Sequence, residues 1–241
     1  MRVAITGASR GLGKGMGEHL LSLGHQVGFF GRTIKPRTDS SAVWVAGDVT
    51  KRSCLIEFKE AMIAAFGGID VWVNNAGVLE PIKPVRSLEV DELHRHLAVN
   101  LDGVLLGSQV FIEHCRDTDE SNGVLVNISS GAAKKGYHGW GAYCAGKSAV
   151  DRLTECIALE EAEIGLKALS IAPGIVDTDM QALIRSTPEN EFPSRPKFIA
   201  LKAENRFNTP EFVADTMLSW LEELQRDAPL DVCLRVPEQR R

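Results

Sequence analysis

The opening residues narrow the possible folds most. A short apolar run, Arg2 to Thr6, passes without a linker into Thr6-Gly7-Ala8-Ser9-Arg10-Gly11-Leu12-Gly13, and a helical pattern then continues to about Leu23 and stops at Gly24. The order is strand, glycine turn, helix. Glycines at such a turn let the backbone bend sharply and approach a pyrophosphate, whose charge is favoured by the unpaired N–H groups of the helix start. The spacing Gly-x-x-x-Gly-x-Gly departs from the G-x-G-x-x-G fingerprint, and a tight strand-to-helix turn needs glycine even without a ligand, so the loop alone leaves both readings open. Gly15 and Gly17 fall inside the helix, where each costs about 1 kcal/mol relative to Ala. Close helix–sheet packing explains them, and they receive no ligand role.

Six further strand-like runs follow: Gln26 to Gly31, Val43 to Ala46, Ile69 to Val73, Gly123 to Ser129, Lys167 to Ala172 and Asp231 to Val236. Most are β-branched or apolar nearly throughout, as strands covered on both faces are, and helical stretches lie between them. The expected fold is α/β, a doubly wound, seven-stranded parallel sheet with right-handed crossovers. No linker or repeat divides the 241 residues, so one domain is expected over 1–241. Residues 177–208 carry Pro188, Pro193 and Pro196 around a single apolar patch, Met180 to Ile184, and are read as a long substrate-binding loop.

With 44% hydrophobic and 24% charged residues the chain is not globally disordered, and a net charge of −5 gives no overall attraction to nucleic acid or anionic lipid. No apolar run reaches the roughly 18 residues of a membrane span. Five cysteines without CxxC or Cys/His ligand spacing fit a reducing, cytoplasmic setting and no metal site. His94 and His96, two residues apart, lie on different helical faces and are read as solvated.

The second strand indicates which dinucleotide the loop suits. A carboxylate roughly 20 residues past the loop would bind the ribose hydroxyls of NAD. Here the strand ends Phe29-Phe30-Gly31-Arg32-Thr33, Lys35 and Arg37 follow, and the first acidic residue is Asp39. Arg32, with Arg10 in the loop, can pair with a 2′-phosphate, so NADP(H) is the expected cofactor.

After the fifth run, Asn127-Ile128-Ser129-Ser130 precedes Tyr143-Cys144-Ala145-Gly146-Lys147. Tyr143 and Lys147 are i and i+4 and share a helix face. A phenol is a poor acid–base catalyst at neutral pH, but a neighbouring ammonium lowers its pKa. Such a pair is also ordinary on helices, as a packed ring beside a solvated amine. His138, Gly139 and Trp140 either line a substrate pocket or pack at a helix start, and Cys144 is a small core residue.

Together with Gly47-Asp48-Val49, Asn74-Asn75-Ala76-Gly77, Asn100 in Ala98-Val99-Asn100, and Pro173-Gly174-Ile175-Val176-Asp177-Thr178, these motifs resemble the short-chain dehydrogenase/reductase family over nearly the whole chain. The resemblance implies a Rossmann-type sheet ordered 3-2-1-4-5-6-7. Tyr143 becomes the general acid, Lys147 the group that lowers its pKa and holds cofactor ribose, and Ser130, rather than Ser129, the partner of the substrate oxygen. Asn100 supports a water leading from Lys147 to bulk.

Cofactor contacts implied in the same way are Gly7, Ser9, Arg10, Gly11, Leu12, Gly13 and Arg32, Asp48 and Val49 at the adenine, and Asn75, Ala76 and Gly77 along ribose and phosphates. Tyr143, Lys147, Pro173, Gly174, Ile175 and Thr178 complete the set. Asn74 and Asp70 are assigned structural roles. The helical segments Leu88 to Cys115 and Trp140 to Ile164 are expected to pair in a homodimer or homotetramer. Within the family the chain looks more like NADPH-dependent carbonyl reductases of the sepiapterin or benzil reductase type, acting on a small-molecule ketone or diketone. A ketoacyl thioester reductase is the alternative, weakened because the chain ends Asp231-Val232-Cys233-Leu234-Arg235-Val236-Pro237-Glu238 without that group's glycine-rich terminal segment. An NADP(H)-binding sensor without turnover is the alternative from another class; the retained Tyr-x-x-x-Lys pair speaks against it.

Overall fold

In the computed structural model, which describes residues 1–118, 122–226 and 230–239, the sheet has eight strands. They are β1 (Arg2–Thr6), β2 (Gln26–Gly31), β3 (Arg37–Thr38), β4 (Ala42–Ala46), β5 (Val71–Asn74), β6 (Val124–Ile128), β7 (Lys167–Ala172) and β8 (Cys233–Arg235). In space they run β3-β4-β2-β1-β5-β6-β7-β8. The seven parallel strands have the order the family resemblance implies. The eighth, β3, corrects the all-parallel expectation: it is a two-residue antiparallel edge strand, and Arg37 stacks over the Trp44 ring 3.7 Å from its centroid. Both β3 residues are exposed, so no apolar pattern marks them.

The helices are α1 (Gly11–Ser22), α2 (Arg52–Phe66), α3 (Val90–Leu97), α4 (Gly103–Thr118), α5 (Gly141–Glu160), α6 (Asp179–Ser186), α7 (Arg195–Ala203) and α8 (Pro210–Gln225). A π-helical turn, Ala98–Asp102, joins α3 to α4 and carries the fully buried Asn100. The central strands are covered on both faces. One apolar cluster joins β1, β2, β6 and β7 to α1 and α8; a second packs Phe58, Met62, Phe111 and Ile157 against the opposite face.

Residues 177–208 are not the structureless loop read from their prolines. α6 and α7 lie within them, and Pro196 stands at the start of α7, where a missing N–H costs nothing because no helical acceptor exists for it. Ile184, Phe192, Phe198, Leu201 and Phe207 form a third apolar cluster with Leu79, Trp140 and Tyr143.

The chain reverses direction across the sheet between β1 and β5, which are hydrogen-bonded neighbours. A crevice opens beyond the carboxyl ends of strands at such a point. Asn74, at the end of β5, holds this region: its Nδ2 donates to Asn127 Oδ1 at 2.9 Å and to Val104 O at 3.2 Å, and its Oδ1 accepts from Trp72 Nε1 at 2.8 Å. Asp70 braces the strand's other end by accepting from the Arg2 backbone N–H at 2.6 Å. No described helix is long and apolar enough to cross a membrane.

Candidate active site

The crevice is a cavity of about 700 Å³. Every residue expected from sequence to touch a cofactor lines it, from the glycine loop through Arg32, Asp48 and Val49 to Pro173, Gly174, Ile175 and Thr178. The glycine loop and the segment after β5 press together. Gly7 has φ +66°, and a Cβ there would lie 2.6 Å from Ala76 Cα, so only glycine fits. Asn75 clasps the loop, its Nδ2 donating to Thr6 O at 2.8 Å and Gly7 O at 3.2 Å.

Fit to a dinucleotide rests on the start of α1. No side chain caps it, its first turn holds no acid, and Gly11, Leu12 and Gly13 open on the cavity. Uncapped N–H groups and the helix dipole suit a pyrophosphate there. At the far end, the Asp48 carboxyl lies below its ordinary range, held by the Thr50 backbone N–H and, to a smaller degree, by the charge of Arg32. Arg32 and Asp48 therefore share one end of the cavity. Arg10 is turned to Asp179, 3.1 Å away, in a pair whose members are both about three-quarters exposed, so the contact holds it weakly.

Tyr143, Lys147, Ser129 and Ser130 line the middle of the cavity. Ser130 is the serine that hydrogen-bonds Tyr143, and its Oγ also accepts from Ala132 N at 3.1 Å; Ser129 Oγ is buried without a partner. Lys147, only 4% exposed, donates from Nζ to Ile128 O at 2.7 Å, with Nζ 5.9 Å from the centre of the Tyr143 ring. Burial lowers the Lys147 pKa to about 8. The Tyr143 pKa goes the other way from the sequence expectation. Burial raises the phenol above its ordinary value, the hydrogen bond with Ser130 only partly opposes this, and Lys147 supplies no resolved lowering. The reason is geometric: the ammonium is directed to a backbone carbonyl, while the phenol is enclosed.

Two polar side chains lie behind the cavity wall, and one of them, His96, departs from its sequence reading. Asn100 does not line the cavity; its amide is bound to both backbone groups of Val78 and to His96. His96 is not solvated but 2% exposed beneath Tyr143, whereas His94 is exposed. The signal was present, since His96 and Asn100 have the same i, i+4 spacing as Tyr143 and Lys147. Trp140 lines the cavity, stacked on Phe192 at 4.7 Å and edge-on to Tyr143 at 5.6 Å, with Phe198 at 5.6 Å. His138 is exposed and its Nδ1 lies 3.1 Å from Glu191 O. The site thus offers a protonated phenol, a serine hydroxyl and an aromatic wall at one end, and anion-binding groups at the other.

A family model described as short chain dehydrogenase matches residues 1–189. The chain is 36% identical over 228 residues to benzil reductase ((S)-benzoin forming) of Bacillus subtilis (strain 168), an alignment covering 91% of this chain and 92% of that protein. With the benzil reductase ((S)-benzoin forming) of Bacillus cereus it is 34% identical over 250 residues, covering 98% and 99%. Among solved structures, the KRED1-Pglu enzyme matches with a TM-score of 0.82 at 31% identity, covering 95% of this chain and 97% of that one.

Proposed function

Because this chain belongs to the short-chain dehydrogenase family, oxidoreductases that use a nicotinamide cofactor on carbonyl and hydroxyl groups, we propose that it reduces a ketone or diketone to the alcohol with NADPH. One observation supports Tyr143 as the acid: it is enclosed, hydrogen-bonded to Ser130, and pushed above the ordinary phenol pKa. At neutral pH it holds the proton a carbonyl reduction consumes. A bound nicotinamide supplies the hydride. Ser130 orients the substrate oxygen, and Tyr143 gives that oxygen its proton and is left as phenolate, which the Ser130 hydroxyl stabilises until solvent returns the proton. Lys147 holds the ribose hydroxyls. Arg32, with no carboxylate at the end of β2, supports NADPH over NADH.

The wall of Trp140 and Phe198, backed by the buried Phe192, supports a bulky aromatic substrate, in keeping with the likeness to benzil reductases, benzil being an aromatic diketone. In this reading α6 and α7 form the substrate side of the site. The exposed apolar Leu105 on α4 and Leu159 on α5 support pairing of copies through those helices, and five cysteines outside any disulfide support a cytoplasmic setting.

The test is oxidation of NADPH, and separately of NADH, by the purified protein over diketones, aromatic ketones, quinones and ketoacyl thioesters, with Tyr143→Phe as control. The expected result is NADPH-dependent turnover of a ketone class. Tyr143→Phe should lose about 10²–10⁴-fold in kcat and keep NADPH affinity within about twofold, since only the proton donor is removed. A variant that retains most of the turnover overturns the assignment of Tyr143, and equal use of NADH overturns the choice of cofactor.

A further inference from the structure

Beneath the proposed proton donor lies a hydrogen-bonded pair whose atoms admit a single assignment. Asn100 sits between the N–H and C=O of Val78. The backbone N–H must be met by Oδ1, at 2.9 Å, and the carbonyl by Nδ2, at 2.7 Å. The second hydrogen of Nδ2 then faces His96 Nε2, 2.6 Å away, so that nitrogen must be the acceptor. The other ring nitrogen, Nδ1, lies 2.7 Å from Glu80 O and must carry the proton. Four backbone and side-chain groups thus define a neutral imidazole protonated on Nδ1. Burial holds this ring's pKa below its ordinary value, opposed by the hydrogen bond to Glu80 O and aided to a smaller degree by the charge of Lys147.

The pair touches the reacting groups through short paths. The His96 ring meets the Tyr143 ring edge-on, with centroids 6.1 Å apart. A Cβ placed on Gly77 would lie 2.9 Å from Asn100 Oδ1 and 3.8 Å from Lys147 Nζ, so the segment Asn100 clamps is the one against which the ammonium rests. α5 packs on the pair at Gly146, whose Cβ position lies 3.6 Å from His96 Nε2, an ordinary contact distance.

We propose that His96 is a positioning residue: its neutral ring holds the Asn100 amide, which holds the Gly77–Val78 backbone and thereby the floor under Tyr143 and Lys147. The proposal rests on the reductase reading for its kinetic consequence and on the hydrogen-bond geometry for the clamp itself.

The test compares His96→Leu, which leaves an Asn100 N–H unpaired, with His96→Gln, whose Oε1 restores an acceptor. His96→Leu should lower kcat by about 10–100-fold through misplacement of the groups resting on the clamped backbone, with KM for the ketone and the Kd of NADPH changed less than about twofold. His96→Gln should recover to within about threefold of wild type. Asn100→Ala should lose activity as well, and adding His96→Leu to it should cost little more, because the histidine acts through the amide. Additive losses, no rescue by glutamine, or a His96→Leu enzyme with wild-type kcat would each overturn the proposal. Nitrogen NMR of the wild-type imidazole at neutral pH gives a readout independent of activity and of variant folding: the proton is expected on Nδ1, and a proton on Nε2 refutes the clamp. If the wild type reduces no carbonyl, the reductase reading fails, while the tautomer still decides whether the clamp exists.

Discussion

The buried ammonium of Lys147 makes the stability of this protein depend on pH in a way that one substitution isolates. The group is 4% exposed, it donates to Ile128 O, and its pKa falls from 10.5 to about 8 on folding. Between those values the unfolded chain binds a proton that the folded chain lacks, so stability rises as pH rises through this window. Below about pH 8 both states are charged and the folded one bears the full desolvation cost. At about 1.4 kcal/mol per pH unit the total is about 3 kcal/mol, of which about 2.5 kcal/mol appears between pH 7 and pH 10. Lys147→Met keeps the apolar stem and removes the titration. Urea unfolding of both proteins at pH 7 and pH 10, without cofactor, should show wild type gaining about 2–3 kcal/mol on the variant over that interval. Other groups titrate in both proteins and cancel in the difference. A flat difference, or wild type losing ground as pH rises, would refute the claim that folding buries this charge at a cost.

Three further outcomes follow from named contacts. Arg32→Ala should weaken NADPH about 10–100-fold, the worth of a charge-assisted contact, and NADH by less than about threefold; equal weakening in a titration of each would remove the 2′-phosphate reading. Gly17→Ala should destabilise by about 1–3 kcal/mol through overpacking, because its Cβ would lie 2.4 Å from Phe29 Cε1, within a ring that is itself stacked on Trp44. Alanine is otherwise the better helix former by about 1 kcal/mol, so a rise in stability on denaturation would show that the glycine is not there for packing. Trp140→Ala removes the side chain that joins Tyr143 to Phe192 and Phe198, and should cost about 3–5 kcal/mol in unfolding free energy together with a raised KM for aromatic ketones.

The sheet was legible because burial on both faces leaves an uninterrupted apolar run. β1, β2 and β7 coincide with the runs read from sequence, and β8 is shorter only where its flanks leave the ladder. β3 was not legible, since two exposed residues paired by backbone alone carry no pattern. α6 and α7 were lost for a different reason. Pro188 and Pro196 were read as evidence against helix, whereas one follows α6 and the other begins α7, where proline is compatible with helical geometry. The aromatic wall went with them, because Phe192 and Phe198 have meaning only once those helices fold back on Trp140.

At the site, spacing along the chain identified groups but not their state. Tyr143 and Lys147 at i, i+4 imply an ammonium that lowers a phenol's pKa, and that inference needs the charge to point at the oxygen. In the folded protein the ammonium points at Ile128 O, and enclosure by Trp140 and His96 raises the phenol instead. Which effect wins depends on groups distant in sequence, so no local rule yields the sign. The outcome bears on function. A phenol above its ordinary pKa keeps its proton at neutral pH, as the acid of a carbonyl reduction must, and its phenolate, the base of alcohol oxidation, forms only at higher pH. Because burial sets the state of Tyr143, opening the enclosure should shift it. Trp140→Ala should move the pH profile of alcohol oxidation toward lower pH relative to wild type, and an unchanged profile would show that the indole does not set the state of Tyr143.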